Sequence, residues 1–248
     1  MITIKSKTEI EKMRAAGKIT GEALKLIEKH IKPGISTAEL DKIAYDFIIS
    51  KGATPSFLHY NGFPGSICAS PNDWVVHGIP SKDIVLAEGD IISIDMGAYK
   101  DGYHSDAART FAVGKISDEA QRLIDVTKQS FFEGIAHVIH GAKLGDVSAA
   151  IQEYVEKNGY SVVRDLVGHG IGKNLHEDPN VPNFGTRGKG VKLAAGMTLA
   201  IEPMVNAGEY DVCVLDDDWT VVTEDGSLSA HYENTILVTK DGCEILTL

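Results

Sequence analysis

The feature that most constrains this chain is an order of chemical signals that occurs twice. Gly89-Asp90-Ile91-Ile92-Ser93-Ile94-Asp95 and Gly196-Met197-Thr198-Leu199-Ala200-Ile201-Glu202 each run from a glycine through an apolar stretch to a carboxylate six positions on. A second acid then heads another apolar run in each half: Asp106 before Thr110-Phe111-Ala112-Val113, and Glu233 before Thr235-Ile236-Leu237-Val238. Upstream, Val75-Val76-His77-Gly78-Ile79-Pro80 parallels Val167-Gly168-His169-Gly170-Ile171-Gly172. Two helical patterns precede each set. Ser6-Lys7-Thr8-Glu9 is a capping box opening a helix toward His30, and Ser36-Thr37-Ala38-Glu39 opens a shorter one that stops at Gly52. In the second half, Asp118 is placed to cap a helix reaching His140, and a shorter helix follows Gly145 and stops at Gly159. The repeat predicts one domain, residues 1–248, made of pseudo-symmetric halves spanning about 6–113 and 117–239. Strands bunched behind helix pairs predict an α/β (α+β) fold with a mixed or antiparallel sheet and the helices outside. Pro179, Pro182 and the glycines between 185 and 196 then mark a loop, not a linker.

Composition removes several classes of function. With 35 acidic residues against 24 basic, the net charge of −11 opposes phosphate-driven nucleic-acid binding. The densest basic stretch, Arg187 to Lys192, is interleaved with glycines and reads as a solvated loop. No run is long and apolar enough to span a membrane, and no signal-peptide core follows Met1. Cys68, Cys213 and Cys243 are an odd, scattered set, which fits a reducing compartment; the expected location is the cytoplasm.

The chemistry lies in Asp95, Asp106, Glu202 and Glu233. Carboxylates at the ends of such apolar strands fall near the domain centre, where unpaired charges are costly and like charges repel. Arg109 is the only basic residue close in sequence to any of the four. Taken singly, each acid is an ordinary strand-end residue. Taken as a symmetric set with histidines, they predict metal binding, and four acids suit two ions better than one. With an imidazole such as His169 the donor set is hard and oxygen-rich, suited to manganese, iron, cobalt or zinc. His77, His169 and His176 stand apart from the other six histidines because they lie in glycine-flanked segments related by the repeat. A neutral histidine there serves as ligand, carbonyl donor or amine contact, and spacing leaves the three roles open. His30 and His140 are expected at helix ends. Gly168 to Gly172 lacks the lysine of a phosphate loop, Asp216-Asp217-Asp218 lacks EF-hand spacing, and Cys68 is expected to be a small buried side chain.

Val75 to Pro80, Ile94-Asp95 with Asp106, Gly168 to Gly172, Ile201-Glu202-Pro203 and Ser229-Ala230-His231-Tyr232-Glu233-Asn234-Thr235 together resemble the type I methionine aminopeptidases over essentially the whole chain. The resemblance implies the pita-bread fold, two pseudo-symmetric halves around a dinuclear site. It implies Asp95, Asp106, His169, Glu202 and Glu233 as metal ligands, Asp106 and Glu233 bridging. It makes His77 and His176 the contacts to the scissile amide and carbonyl, and Glu202 the base or proton shuttle. Tyr60, Phe63, Cys68 and Trp219 match the family's methionine pocket, while Phe57 and Leu175 stand where members commonly carry Cys and Phe. Asn72 and Ser229 match its monovalent-cation site. The implied substrate is a protein or peptide with N-terminal methionine before a small residue; the implied state is a monomer in transient contact with the ribosome. The chain lacks the zinc-finger extension of eukaryotic cytosolic members and the long insertion of type II between His169 and Glu233. A proline-directed pita-bread peptidase usually carries an added N-terminal domain; an inactive binding protein and a creatinase-like metal-free hydrolase would lack ligands that are all present here.

Overall fold

The computed structural model describes residues 1–248. Helices α1 (Lys7–Glu28) and α2 (Thr37–Ser50) both open with complete capping boxes. The Glu9 carboxylate accepts from the Ser6 N–H at 2.8 Å while the Ser6 hydroxyl accepts from the Glu9 N–H, and Ser36 with Glu39 repeats the exchange. Helices α3 (Asp118–Ile135) and α4 (Leu144–Lys157) form the second pair. Two expectations about α3 are corrected. Ser117 is the cap, its hydroxyl accepting from the Ala120 N–H, and Asp118 with Glu119 instead occupies the first turn, where negative charge suits the helix dipole. The helix also ends at Ile135, and His140 lies beyond it, its Nδ1 accepting from the Ala195 N–H. His30 does sit at a helix end, its Nδ1 2.9 Å from the Leu26 carbonyl.

The first helix pair is followed by β1 (Thr54–Pro55), β2 (Ile67–Pro71), β3 (Trp74–Val76), β4 (Ile91–Lys100) and β5 (Tyr103–Ala112). The second is followed by β6 (Ser161–Val162), β7 (Gly168–Gly170), β8 (Glu177–Val181), β9 (Thr198–Ile201), β10 (Met204–Asn206), β11 (Val212–Val214), β12 (Val221–Thr223), β13 (Ser229–His231), β14 (Asn234–Val238) and β15 (Cys243–Ile245). One sheet runs β1-β4-β2 with β5 also on β4, the other β15-β14-β9-β7-β8; β13-β10-β6 and β11-β12-β3 are smaller. Every strand pair is antiparallel, so the expected mixed or antiparallel sheet resolves to the second. The seam between the halves is β5 against residues 231–235. Ala108 and Glu233 exchange backbone hydrogen bonds, the Thr235 hydroxyl accepts from the Asp106 N–H and donates to its carbonyl, and Thr110 does the same for His231.

Each half has its own core. Ile27, Leu40 and Ile48 meet Ile92, Ile94 and Met96 of β4 in the first; Leu123, Phe131, Val147 and Ile151 meet Leu199, Ile201 and Ile236 in the second. Fully burying one such side chain contributes about 1.5–3 kcal/mol, so each helix pair is held chiefly by its apolar face. Helix α1 also reaches across the chain: Gly17 packs on the Leu246 backbone so closely that a Cβ there would collide with its carbonyl oxygen.

Candidate metal centre and its apolar cavity

A cavity of about 270 Å³ opens at the seam and is lined by Asp95, Asp106, His169, Glu202, Glu233, His77, His176, Tyr60, Phe63, Cys68 and Trp219. All eleven of the residues expected at the centre and pocket therefore meet in one place. The expectation that the four acids sit at strand ends, two closing a strand and two heading one, holds for two. Glu202 directly follows β9 and Glu233 directly precedes β14. Asp95 and Asp106 instead lie inside ten-residue strands, Asp95 opposite Ala108 and Asp106 opposite Gly97. Alternation along a pleated strand aims them at the seam as well as a terminus would.

Ligand atoms of Asp106, His169 and Glu233 all lie within 4.8 Å of one another. The His169 Nε2 is 3.8 Å from Asp106 Oδ2 and 3.7 Å from Glu202 Oε1. His169 Nδ1 faces the Gly170 carbonyl at 2.8 Å, so that nitrogen carries the proton and Nε2 presents its lone pair to the acids. Burial, reinforced by neighbouring carboxylates, raises Asp106, Glu202 and Glu233, and burial pushes Asp95 up to about 7. Burial, with His176 nearby, takes His169 down to about 3, so it stays neutral. No cationic side chain forms an ion pair with the acids, and Arg109 eases Glu233 only through space, against the larger effects of burial and of the other carboxylates. Arg109 spends its guanidinium on the carbonyls of Ala108 and Glu233 and on Asn234 Oδ1, stacked 4.2 Å over the Tyr232 ring.

Three carboxylate oxygens, Asp95 Oδ1, Asp106 Oδ1 and Glu233 Oε1, are buried without any hydrogen-bond partner. Each such orphan costs several kcal/mol unless a charge compensates it. Acceptors only, converging with one imidazole lone pair, are the donor set of a divalent ion, and the residues fit one.

The rest of the cavity is apolar. Phe63 and Trp219 pack edge to face at 5.1 Å, and Trp219 stands 6.4 Å from the His77 ring. His77 directly follows β3 at a positive φ of 60°, a conformation that costs a non-glycine residue on the order of 1 kcal/mol, and its ring lines the cavity. Burial and nearby His176 take His77 down to about 4. His176 stands at the mouth, its Nδ1 2.8 Å from the Tyr60 hydroxyl and its ring 4.2 Å from that of His169. Cys68 is buried and its thiol pushed well up by burial and by Asp95, so it packs as a neutral side chain. Phe57 and Leu175, where the chain departs from the resemblance, both line the cavity. Asn72 and Ser229 lie outside it, joined by the Ser229 N–H donating to the Asn72 carbonyl.

Sequence reading passed over His231. It is fully buried, neither ring nitrogen has a partner, and Nε2 is 3.9 Å from Glu202 Oε2. The signal was present: His231 and Glu233 are two apart on an extended segment and so share a face.

Unneutralised acids and an imidazole at the end of an apolar cavity, on a fold of two helix-backed antiparallel halves, define a metal-dependent hydrolase. The model for Metallopeptidase family M24 matches residues 11–240. A methionine aminopeptidase of Clostridium acetobutylicum is 62% identical over 100% of this chain and 99% of its own length. The crystal structure of methionine aminopeptidase from Rickettsia prowazekii superposes with a TM-score of 0.98 at 48% identity, covering 100% of both chains. A prolidase from Pyrococcus furiosus shares the fold alone, with a TM-score of 0.80 at 23% identity over 99% of this chain and 65% of its own. The chain belongs to Metallopeptidase family M24, among its methionine aminopeptidases, and has the pita-bread fold.

Proposed function

We propose that this chain removes the N-terminal methionine from proteins and peptides, preferring a small second residue, with two divalent ions held by Asp95, Asp106, His169, Glu202 and Glu233. The observation that carries the reading is the convergence of three orphaned carboxylate oxygens and the free Nε2 of His169 at the end of an apolar, aromatic cavity. Asp106 and Glu233, one from each half, would help to hold both ions. When bound, divalent ions would supply Lewis acidity, lowering the pKa of the attacking water toward about 7 and polarising the peptide carbonyl.

The protein's own groups do the rest. Tyr60, Phe63, Cys68 and Trp219 surround the methionine side chain, whose thioether packs well against aromatic rings. The free amine of the substrate methionine would bind beside the acid cluster, which makes the action exo. His77 holds the substrate amide. His176 donates to the oxygen that gains charge, oriented by the Tyr60 hydroxyl. Glu202 takes a proton from the attacking water and delivers it to the departing amine.

The ions are drawn from manganese, iron, cobalt and zinc, with a monovalent cation beside Asn72 and Ser229. The chain works as a monomer, one domain of two halves, in the cytoplasm, with transient ribosome contact. No helix is long and apolar enough to cross a membrane.

Metal stoichiometry measured alongside cleavage of Met-Ala-Ser tests the reading. Two ions per chain and release of methionine, lost with chelator and regained with metal, are expected. Cleavage of Ala-Pro peptides in preference, or turnover in full chelator, refutes it.

A further inference from the structure

His176 and Leu175 lie on the turn 171–176 between β7 and β8, and little that is internal to this turn holds it. Gly172 donates its N–H to the Asn174 carbonyl at 3.0 Å and accepts from the His104 N–H at 2.8 Å. Lys173 reaches Glu9 only at 3.6 Å and is 70% exposed, so that pair is worth little. Ile171 and Leu175 are buried in the apolar core, and the buried polar anchor lies just after His176. Glu177, the residue after His176, meets the ammonium of Lys5 at 2.5 Å, with the two side chains only 6% and 9% exposed. Its second oxygen accepts from the Asn174 N–H at 3.2 Å, closing the turn, and the Thr3 hydroxyl donates to the first at 2.8 Å. Lys5 is itself fixed by its backbone, which donates to the Gly196 carbonyl at 2.8 Å just ahead of β9. The pair presses on the turn so tightly that a Cβ at Gly172 would lie 2.6 Å from both Glu177 Oε1 and Lys5 Cε.

We infer that Lys5 is a positioning residue: through its buried ion pair with Glu177 it sets the turn that presents His176 to the substrate. The inference rests on the role proposed above for His176. A buried pair that loses one partner leaves the other as an uncompensated charge, which escapes by rotating to solvent or by changing protonation. Rotation frees the Asn174 amide and protonation weakens its hydrogen bond, so either route lets the turn shift. A displacement of about 1 Å in a group that must meet developing charge costs up to roughly 10²-fold in rate.

The test uses Lys5→Met, which keeps the methylene stem and removes the charge, in the metal-loaded full chain, alone and combined with His176→Ala. Lys5→Met is expected to lower kcat on Met-Ala-Ser by about 10- to 100-fold with two ions retained, and to lower it by less than about two-fold in the His176→Ala background. In the metal-free protein, amide exchange of residues 172–177 is expected to quicken about ten-fold or more, with β4 and α2 unchanged. An equal loss of kcat in both backgrounds, no loss at all, or exchange that rises uniformly overturns the inference. Should Lys5→Met fail to fold, Glu177→Gln carries the same paired comparison, with a smaller loss because the amide oxygen still accepts from the ammonium. Should the parent chain leave Met-Ala-Ser uncut, the proposed function fails, and local exchange alone then decides whether Lys5 holds the turn.

Discussion

Replacing Asp95 with asparagine should stabilise the metal-free protein, and only at neutral to alkaline pH. Asp95 is buried among Asp106, Glu202 and Glu233 with no cationic side chain near, and its carboxyl is pushed from an ordinary 3.8 up to about 7. A group whose folded value lies above its unfolded one binds more protons in the folded state between those values. Folding is therefore unpenalised below about pH 4 and loses free energy as pH rises toward 7. At 1.36 kcal/mol per unit, the full penalty at pH 8 is on the order of 4 kcal/mol. A carboxamide at this position cannot ionise, so Asp95→Asn recovers this energy at pH 8 and recovers nothing at pH 4. The substitution also removes a like charge from beside Asp106, Glu202 and Glu233, which adds in the same direction. Urea unfolding of chelator-treated protein at the two pH values reads the difference directly, and all groups shared by both proteins cancel to first order. With divalent metal added the sign should invert, since the variant has lost a ligand. If Asp95→Asn destabilises the metal-free protein equally at pH 4 and pH 8, Asp95 is a hydrogen-bonded structural acid and the argument from its buried charge fails.

Other outcomes follow from the same geometry. Glu202→Ala should abolish turnover, and full activity there contradicts the proton route. His77→Ala and His176→Ala should each lower kcat by about 10²–10³-fold, with metal content by elemental analysis unchanged. Trp219→Ala, which removes the ring packed on Phe63, should weaken the transition-state complex of methionyl substrates by about 1–3 kcal/mol, read as a fall in kcat/KM. Gly17→Ala places a methyl against the Leu246 carbonyl and should cost about 1–3 kcal/mol in urea denaturation with catalysis intact in the folded fraction. An unchanged midpoint would mean that α1 and the C-terminal segment can separate freely.

The donor set shows how this chain resolves a conflict between burial and charge. A hydrophobic seam that excludes water would ordinarily eject four carboxylates or protonate them. Arg109 lies within the seam yet directs its donors at backbone carbonyls and at Asn234, so the acids are left for an exogenous cation. The same exclusion of water leaves His77 and His169 neutral near pH 7 and so able to act as lone-pair or N–H partners.

The sequence by itself determined the parts that depend on local chemistry or on a repeated pattern. Capping boxes at Ser6 and Ser36 and the apolar runs that lead from Gly89 and Gly196 to an acid were legible because each is written in residues a few positions apart, while family membership was legible from motifs spread along the whole chain, and it was that resemblance which joined His169 to the four acids. Only the tertiary structure decided which residues share a surface across long separations. Asp95 and Asp106 reach the centre from inside strands, not from their ends, because pleating aims alternate side chains at the seam. The start and stop of α3 escape the sequence because Ser117 and Asp118 are both competent caps, and the contact between His140 and Ala195 is set by a loop far along the chain. His231 and the Lys5–Glu177 pair were invisible for the same reason: burial and partnership belong to packing, and no short stretch of sequence records what will be laid against it.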